Sequence, residues 1–276
     1  MNKISVITIN FNNRSGLEKT LASVRRQTCR DFEYIIIDGG STDGSREMIL
    51  ENQDIITQWV SEPDGGIYNA MNKGVEKASG EYCLFLNSGD TFHDGDVMRK
   101  VCNLEAKADI LFGRVVNIHP GGEKTTYVPA EDMSLLRIIE TGIHHAGSYI
   151  RTSLMRKYPY DEKLKICSDR KFFVQSLVLD NCSFSNLDFE VCDFELGGVS
   201  YTNTDLAWKE SLKILDELIP PRIVSDILKT NMRIQETTGR LVKCRYKVIH
   251  SICKIDDLMI KGLNLLLGKK LYSNNR

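Results

Sequence analysis

Short apolar runs alternate with helical spacings of apolar residues along the first part of the chain. Residues 4–10 form a β-branched run, and apolar positions within 17–24 then recur as on one face of a helix. The same alternation returns with apolar runs at 32–37, 56–60 and 81–86. This spacing predicts βαβ crossovers, and therefore an α/β fold with a mostly parallel central sheet and helices on both faces.

Polar residues follow the predicted strands at their carboxyl ends. In open α/β sheets, ligands bind beyond this edge of the strands. The polar residues expected at that edge are Asn10, Asp38, Glu62, Asp64, Asn87 and Asp90. We therefore expect residues 1–116 to form the ligand-binding half of an α/β domain.

The regular alternation ends near residue 116, before a turn at 119–122. The shorter elements predicted beyond it are helices near 135–139 and 169–179 and strands at 182–186 and 189–195. We expect residues 117–203 to complete a single domain that spans 1–203. From residue 204 to 276 the pattern is all-helical, which predicts a C-terminal helical extension.

The last part of this extension, residues 239–276, is basic and amphipathic. It holds nine Lys or Arg residues against two Asp residues, with apolar residues near one helix face. Such a segment can rest on an anionic membrane surface, where each basic side chain contributes about 1 kcal/mol. A helix that packs on its own domain, or on a second copy of the chain, has the same pattern, and the sequence leaves both alternatives open.

Charge and absent motifs exclude several classes of protein. The chain of 276 residues has 36 basic and 37 acidic side chains, so no overall positive field favours nucleic acid as a partner. The sequence contains no phosphate loop of the GxxxxGK[ST] type, no GxGxxG after the first strand and no GxSxG elbow. Ordinary NTPases, dinucleotide-binding enzymes and serine hydrolases therefore lose support.

Cysteine usage and hydropathy bear on location. The eight cysteines include no CxxC pair, and the start of the sequence lacks the features of a secretory signal. No stretch of about 18 apolar residues predicts a membrane-spanning helix. We expect a reduced, cytoplasmic protein whose membrane contact is peripheral, at the inner face of the plasma membrane.

Three loops contain residues suited to ligand binding or catalysis. Asp38 ends the second predicted strand, where its carboxylate can bind a base or a sugar, although a helix-capping turn would have the same pattern. The loop 87–90 can hold a divalent cation against a diphosphate, or be an ordinary β-turn. Asp169, predicted in the first turn of a helix, can accept a proton from a substrate hydroxyl or simply cap the helix.

Four segments resemble, in order, motifs of the inverting family 2 glycosyltransferases of the bacterial surface-polysaccharide type. They are SVITINFN at 5–12, YIIIDGGSTDG at 34–44, SEPDGGIYNAMNKG at 61–74 and ASGEYCLFLNSGD at 78–90. Several motifs in the correct order are more specific than any single loop. The resemblance implies the GT-A nucleotide-sugar-binding fold for residues 1–203, and it does not cover the segment after 204.

This resemblance implies a nucleotide-sugar donor, with uridine as the expected base. By the match of motifs, Ile9 and Phe11 pack near the nucleobase and Asp38 hydrogen-bonds it. Asp64 is expected near the ribose or the diphosphate. The donor would thus lie along the carboxyl ends of the first strands.

The resemblance also implies a divalent cation, Mn²⁺ or Mg²⁺, beside the diphosphate. Asp90 matches the last acidic residue of the family's metal loop, whereas Asn87 and Gly89 stand where that loop usually has aspartates. We therefore place Asp90 at the metal and Asn87 among the donor-binding residues. Met71 occupies a position where many relatives carry an arginine, and nearby Lys73 is expected to supply positive charge instead.

The acceptor side is implied by IHHAGSY at 143–149 and YDEKLKICSDRKFF at 160–173. These segments map His145 onto the family histidine and Asp169 onto the catalytic base. Because adjacent residues of a strand face opposite sides, only one of His144 and His145 is expected to face the site.

The implied reaction is one in-line displacement at the anomeric carbon, with inversion of its configuration. The expected acceptor is a hydroxyl of a glycan or of a lipid-linked molecule used in surface-polysaccharide synthesis. A catalytically inactive sugar-nucleotide-binding or assembly protein on the same fold is the alternative from another class.

Overall fold

The computed structural model describes residues 4–105, 107–198, 203–226 and 229. Within these residues one sheet contains the strands β1 (Ile4–Asn10), β2 (Glu33–Asp38), β3 (Gln58–Ser61), β4 (Tyr82–Phe85), β5 (Thr91–Phe92), β6 (Ile110–Ile118), β7 (Lys124–Tyr127), β8 (Ser148–Arg151) and β9 (Phe184–Glu195). The α-helices are α1 (Arg14–Arg25), α2 (Ser45–Glu51), α3 (Ile67–Lys77), α4 (Val97–Cys102), α5 (Leu135–Thr141), α6 (Thr152–Lys157), α7 (Ser168–Phe173) and α8 (Thr204–Leu218). A 3-10 turn at His145–Gly147 precedes β8, and a π-helical segment at Val174–Leu179 continues α7.

The sheet has the strand order β3-β2-β1-β4-β8-β6-β9-β5, and β7 pairs with β6. β3, β2, β1 and β4 are parallel neighbours, as the pattern of residues 1–116 predicts. Beyond β4 the sheet is mixed, because β8 is antiparallel to both β4 and β6, while β6 and β9 are parallel. The two strands predicted at 182–186 and 189–195 form one strand, β9, whose register against β6 shifts near Arg114.

Side chains of β1 alternate between two buried cores, one on each face of the sheet. Ile4 and Val6 pack in a cluster with Leu17 of α1, whereas Ile7 packs with Val75 of α3 in the other cluster. Strands covered on both faces are apolar along their whole length, which explains the runs seen in the sequence. The predicted α/β fold with helices on both faces is confirmed.

Helix α8 packs against the segment that leads into α7. Leu164 and Ile166 of that segment form a buried cluster with Ala207 and Ile214 of α8. The helical extension predicted from residue 204 therefore begins with a helix built into the same body as the sheet. The basic amphipathic tail predicted at 239–276 lies outside the described residues.

None of the helices in the described segments combines the length and the hydropathy that crossing a membrane requires.

Candidate active site

Three loops meet at the carboxyl edge of β1, β2 and β4, where the sequence predicts a ligand site. The loop after β1 is tied to the loop after β2 by a hydrogen bond of 2.8 Å from Asn12 N to Ser41 Oγ. Asn13 ties it to the loop after β4, because its Nδ2 donates to the Ser88 carbonyl over 3.0 Å. Parallel strands end at the same edge, and these bonds hold their loops side by side.

Asp38 is fully buried at the end of β2 and organises these loops. Its two oxygens accept hydrogen bonds from Asn10 Nδ2 (2.8 Å), Ser41 N (3.0 Å), Ser41 Oγ (2.6 Å) and Ser61 Oγ (2.6 Å). Burial alone would raise the pKa of this carboxyl, but the hydrogen bonds from Ser41, Ser61 and Asn10 together hold it below its ordinary value. A nucleobase bound to Asp38 would share an oxygen that protein donors already use.

Phe11 and Asp64 lie together over Gly39, which follows Asp38. A Cβ atom added to Gly39 would come within 2.7 Å of Asp64 Oδ2 and 3.1 Å of Phe11 Cδ2, so the absence of a side chain leaves room for both. The Phe11 side chain is 65% exposed, which leaves a flat aromatic surface open at the edge of the sheet. Ile9 is only half-buried and packs against the core on the α3 side.

Met71 and Lys73, the two positions where the resemblance implies a positive charge toward the diphosphate, lie on α3. Met71 is buried in the core, at 1% exposure, so the position where the resemblance leads one to expect an arginine holds a core side chain. Lys73 Nζ forms an ion pair of 2.7 Å with Glu62 Oε1. A role for Lys73 at a diphosphate would therefore require it to leave Glu62.

The loop 87–90 is a tight turn. Asp90 N donates to the Asn87 carbonyl over 2.8 Å, and Gly89 has φ of 111°, a value that L residues rarely adopt. The buried hydroxyl of Thr20 donates to the Asp90 carbonyl (2.7 Å) and accepts from Gly89 N (3.0 Å). This positive φ suits glycine at a position where the resemblance leads one to expect an aspartate.

Two oxygen atoms of this turn fit a divalent cation. Asp90 Oδ2 and Asn87 Oδ1 are buried and have no hydrogen-bond partner among the described residues. Burial raises the pKa of Asp90 to about 7, and nearby His145 opposes that rise. Carboxylate and amide oxygens are ligands that Mg²⁺ and Mn²⁺ accept, but no group of three His, Cys, Asp or Glu side chains in the described segments could hold an ion alone. A cation here would need further oxygens from a bound diphosphate.

His145 joins this turn to Asp169 on α7. Its Nε2 lies 3.1 Å from Asn87 Nδ2, and its Nδ1 lies 3.4 Å from Asp169 Oδ2. Burial alone would lower the pKa of His145, but the hydrogen bond and charge of Asp169, helped by the charge of Asp90, raise it above its ordinary value. The structure thus brings together four of the predicted site residues: Asn87, Asp90, His145 and Asp169.

His144 has a different environment from its neighbour. Its ring centroid lies 4.7 Å from that of Tyr127 and 5.3 Å from that of Phe194. Burial lowers the pKa of His144 to about 4, and the charge of His145 adds to this effect. His144 therefore supports the packing, whereas His145 contacts Asp169.

The loop that contains Asp64 and the start of α3 lie next to the segment before α7. Asp64 Oδ1 accepts a hydrogen bond of 2.8 Å from Gly66 N, just before α3 begins. The hydroxyl of Tyr68, the second residue of α3, donates to the Ile166 carbonyl over 2.5 Å. A cavity of about 180 Å³ lies between this start of α3 and residues 162–165. The segment that follows Asp64 is thus joined to the segment that leads to Asp169.

Sequence reasoning missed three residues that build this region: Ser41, Tyr68 and Glu210. Ser41 follows a strand-ending carboxylate by three residues, which is typical of a side-chain-stabilised turn and could have been found. Glu210 interrupts the apolar face of α8 between Ala207 and Ile214, and a charge in such a stripe indicates a buried partner. Tyr68 gave no comparable signal.

Sequence comparisons identify the family of this chain. Residues 5–167 match the model of the family described as Glycosyl transferase family 2. An uncharacterized glycosyltransferase of Mycobacterium tuberculosis (strain H37Rv) is 32% identical over 201 residues, covering 71% of this chain and 76% of that protein. A PGL/p-HBAD biosynthesis glycosyltransferase of Mycobacterium bovis (strain BCG) is 30% identical over 225 residues, covering 76% of this chain and 83% of that protein.

Solved structures share the fold at low sequence identity. S. aureus TarS 1–349 in complex with UDP-GlcNAc has a TM-score of 0.63 at 18% identity, covering 89% of this chain and 77% of that one. Mannosyltransferase PcManGT from Pyrobaculum calidifontis, in complex with GDP-Man and Mn²⁺, has a TM-score of 0.62 at 14% identity, covering 97% and 81%. These likenesses confirm the predicted GT-A fold. Because the family model spans more than half of the chain, and relatives at this identity span most of it, the chain belongs to glycosyl transferase family 2 and is a glycosyltransferase.

Proposed function

We propose that this glycosyltransferase is an inverting enzyme that moves a sugar from a UDP-sugar to a hydroxyl of a glycan or lipid-linked acceptor. The observation that carries the proposal is the series of contacts from Asn87 through His145 to Asp169. We propose that the turn at 87–90 and the Asp169 carboxylate face one groove, in which the donor and the acceptor meet. The UDP and UDP-GlcNAc bound to TarS support a uridine donor, and the relative named for PGL/p-HBAD biosynthesis supports a biosynthetic role.

Asp169 has the environment that a general base needs. Its side chain is 22% exposed, so a substrate hydroxyl can reach it. Arg170 N donates to Oδ1 over 2.8 Å and His145 Nδ1 lies 3.4 Å from Oδ2, which fixes the carboxylate while leaving lone pairs for a substrate proton. Lone pairs on a fixed, accessible carboxylate are what proton transfer from an acceptor requires.

In the proposed reaction the acceptor oxygen attacks the anomeric carbon from the side opposite to UDP. Its proton passes to Asp169 as the new carbon–oxygen bond forms. The bond between the anomeric carbon and the β-phosphate oxygen breaks, and UDP leaves with both electrons of that bond. One displacement of this kind inverts the configuration at the anomeric carbon.

Asp90 and Asn87 would hold the Mn²⁺ or Mg²⁺ ion, through the two buried oxygens that have no protein partner among the described residues. The ion would supply positive charge that stabilises the departing diphosphate. Thr20 keeps the turn in place through its bonds to Asp90 and Gly89. The protein thus presents two oxygens at fixed positions, and a bound diphosphate would complete the coordination.

The base pocket is proposed at the open edge of β1 and β2. Phe11 offers an exposed ring on which a uracil can stack. Asp38 is buried, so a uracil N–H would have to share an oxygen with the protein donors Asn10, Ser41 and Ser61. Asp64, which lies beside Phe11 over Gly39, is placed to accept hydrogen bonds from ribose hydroxyls.

Asp169→Asn tests the proposal, because asparagine has nearly the same shape and lacks a basic carboxylate. We expect turnover of a UDP-sugar with an acceptor to fall about 100-fold or more, while the Kd for UDP changes less than about twofold. Asp54→Asn is a matched control, since Asp54 is 59% exposed and pairs with Arg25, the last residue of α1, away from Asp169. Near-normal turnover by Asp169→Asn would remove this residue from the role of base.

The donor and the stereochemistry need their own measurements. A thermal-shift panel of UDP, GDP, CDP and TDP with Mn²⁺ should give the largest stabilisation with UDP, because a ligand of the folded state raises its stability. Proton NMR of the product should show the anomeric configuration opposite to that of the donor. Retention of configuration would contradict a single displacement.

A further inference from the structure

Glu210 is a buried carboxylate on α8 with an unusual set of partners. It is 7% exposed and lies on the face of the helix that packs toward α7. Its oxygens accept hydrogen bonds from three consecutive backbone N–H groups: Lys165 (2.6 Å), Ile166 (2.9 Å) and Cys167 (3.0 Å). A side chain from one helix therefore holds a whole turn of the chain at the start of another.

The turn held by Glu210 is the one that leads into α7. Cys167 is the residue that precedes this helix, and its own side chain makes no capping hydrogen bond to α7. On the opposite side of the same turn, the Tyr68 hydroxyl donates to the Ile166 carbonyl. The turn is thus fixed from two directions, by α8 through its N–H groups and by α3 through a carbonyl.

Two more contacts join the same parts of α7 and α8. Cys167 Sγ donates to the Ala207 carbonyl over 3.3 Å, and Arg170 Nη1 donates to Ser211 Oγ over 2.6 Å. Asp169 lies between these two anchored residues in the chain, Cys167 just before α7 and Arg170 within it. Its backbone position is therefore set on both sides by contacts to α8.

We propose that Glu210 is a positioning residue for glycosyl transfer, which acts by fixing residues 165–167 and thereby the direction in which Asp169 faces the groove. This inference rests on the proposed function, in which Asp169 is the base. A displacement of about 1 Å at a reacting group can cost about 100-fold in rate, so the turn before the base must be held closely. Glu210 lies beyond residues 5–167, so the residue that holds this turn comes from outside the region matched by the family model.

The rival explanation is that Glu210 only stabilises the fold. Both explanations predict a loss of thermal stability when the carboxylate is removed, because buried N–H groups lose an acceptor. They differ in the kinetics. A positioning role predicts a selective fall in kcat that depends on Asp169, whereas a structural role predicts loss of active protein with unchanged constants for the folded fraction.

The Glu210→Gln variant of the full chain distinguishes the positioning role from the purely structural role. Glutamine keeps the size and one oxygen, but its amide places N–H groups against backbone N–H groups. We expect kcat to fall about tenfold or more, with the KM for the UDP-sugar and the Kd for UDP within about twofold, since Glu210 holds residues 165–167 rather than Phe11, Asp38 or Asp64 of the proposed nucleobase pocket. Glu217→Gln is the matched control on the same helix, where Glu217 is 48% exposed and pairs with Lys171, and it should keep kcat within about twofold.

A double-mutant cycle with Asp169→Asn gives the decisive measurement. If Glu210 acts through the base, adding Glu210→Gln to Asp169→Asn should cause less than about a twofold further loss in single-turnover rate. A full additional tenfold loss, or an unchanged kcat in the Glu210→Gln variant, would overturn the proposal. Near-normal turnover by Asp169→Asn would instead contradict the proposed function, so the two failures are distinguishable.

Folding is checked by UDP binding and thermal melting of each variant. If Glu210→Gln does not bind UDP, Glu210→Asp replaces it, because aspartate keeps the carboxylate and shortens the side chain by one methylene. We then expect Glu210→Asp to bind UDP and to have a kcat below that of wild type, and a wild-type kcat would count against positioning.

Discussion

Replacing Asp38 tests how one buried carboxylate ties the donor-side loops together. Asparagine keeps the shape and one oxygen, whereas alanine removes both acceptors. The hydroxyls of Ser41 and Ser61 can turn to accept from an amide, but the Ser41 backbone N–H can only donate. Asn10 can also turn its amide, because its Oδ1 has no partner among the described residues and can face the new NH₂ group.

These options set the expected cost of each change. Hydrogen bonds to a charged group contribute about 1.5–3 kcal/mol each and are not additive, and a buried donor without an acceptor costs about 1–3 kcal/mol. Asp38→Asn keeps an acceptor for the Ser41 N–H, so we expect the free energy of unfolding to fall by about 2 kcal/mol. Asp38→Ala leaves that N–H without an acceptor, and we expect a fall of about 4 kcal/mol.

The effect should depend on pH in a definite direction. The pKa of Asp38 is lower in the folded protein than its ordinary value, so the ionised carboxylate stabilises the fold at pH above the unfolded pKa of about 4. This stabilisation is lost as the pH falls through the folded pKa. The difference between wild type and Asp38→Asn should therefore be complete at pH 7 and shrink below about pH 4.

Urea denaturation of the full chain, followed by circular dichroism, measures these differences. Glu47→Gln is the control, because Glu47 is an exposed carboxylate on α2, the helix that follows this loop, and we expect it to cost less than about 1 kcal/mol. The reasoning is refuted if Asp38→Ala costs less than about 1 kcal/mol, or if Asp38→Asn is as damaging as alanine. Calorimetry with UDP on the same variants tests the contact between Asp38 and the nucleobase separately. Asp38→Asn should weaken UDP binding about tenfold.

Two further predictions concern the turn and the histidine. We expect Mn²⁺ to tighten UDP binding in calorimetry and EDTA to abolish this increase in affinity. Asp90→Asn should remove most of the metal effect. Equal UDP affinity with and without metal would contradict the metal site. We expect His145→Gln to lower kcat about tenfold, because Asp169 loses the group that orients it. His93→Gln, which removes an exposed pair with Asp193, is the control and should leave kcat unchanged, and wild-type kcat in His145→Gln would exclude an orienting role.

The parallel half of the sheet could be predicted because its strands are buried on both faces and end in polar loops. The mixed half could not, since its pairing depends on close approaches between segments far apart in sequence. A Cβ atom on Gly113 would lie 2.1 Å from Val191 Cγ2, and one on Gly147 would lie 2.5 Å from Val115 Cγ2. These glycines let β6, β9 and the turn before β8 pack together, and nothing local in the sequence distinguishes them from loop glycines.

The candidate site also has a part that the sequence predicts and a part that depends on the tertiary structure. The polar residues at strand ends could be predicted from the sequence, because parallel strands bring their carboxyl ends to one edge. The pairing of Lys73 with Glu62 and the burial of Met71 follow from how α3 is rotated on the sheet, which motif matching does not reveal. The contact between His145 and Asn87 joins residues 58 positions apart, so it could be identified only from the folded structure.

The position of Asp169 bears on how much of the chain the reaction needs. The region matched by the family model ends at residue 167, two residues before this carboxylate, and the resemblance of motifs ends before residue 204. Yet the turn before Asp169 takes its hydrogen-bond acceptor from Glu210, and Arg170 donates to Ser211. A unit ending at residue 203 would keep the donor residues and the carboxylate but lose these anchors. We infer that the functional unit continues through α8, because the groups that fix the base lie on that helix.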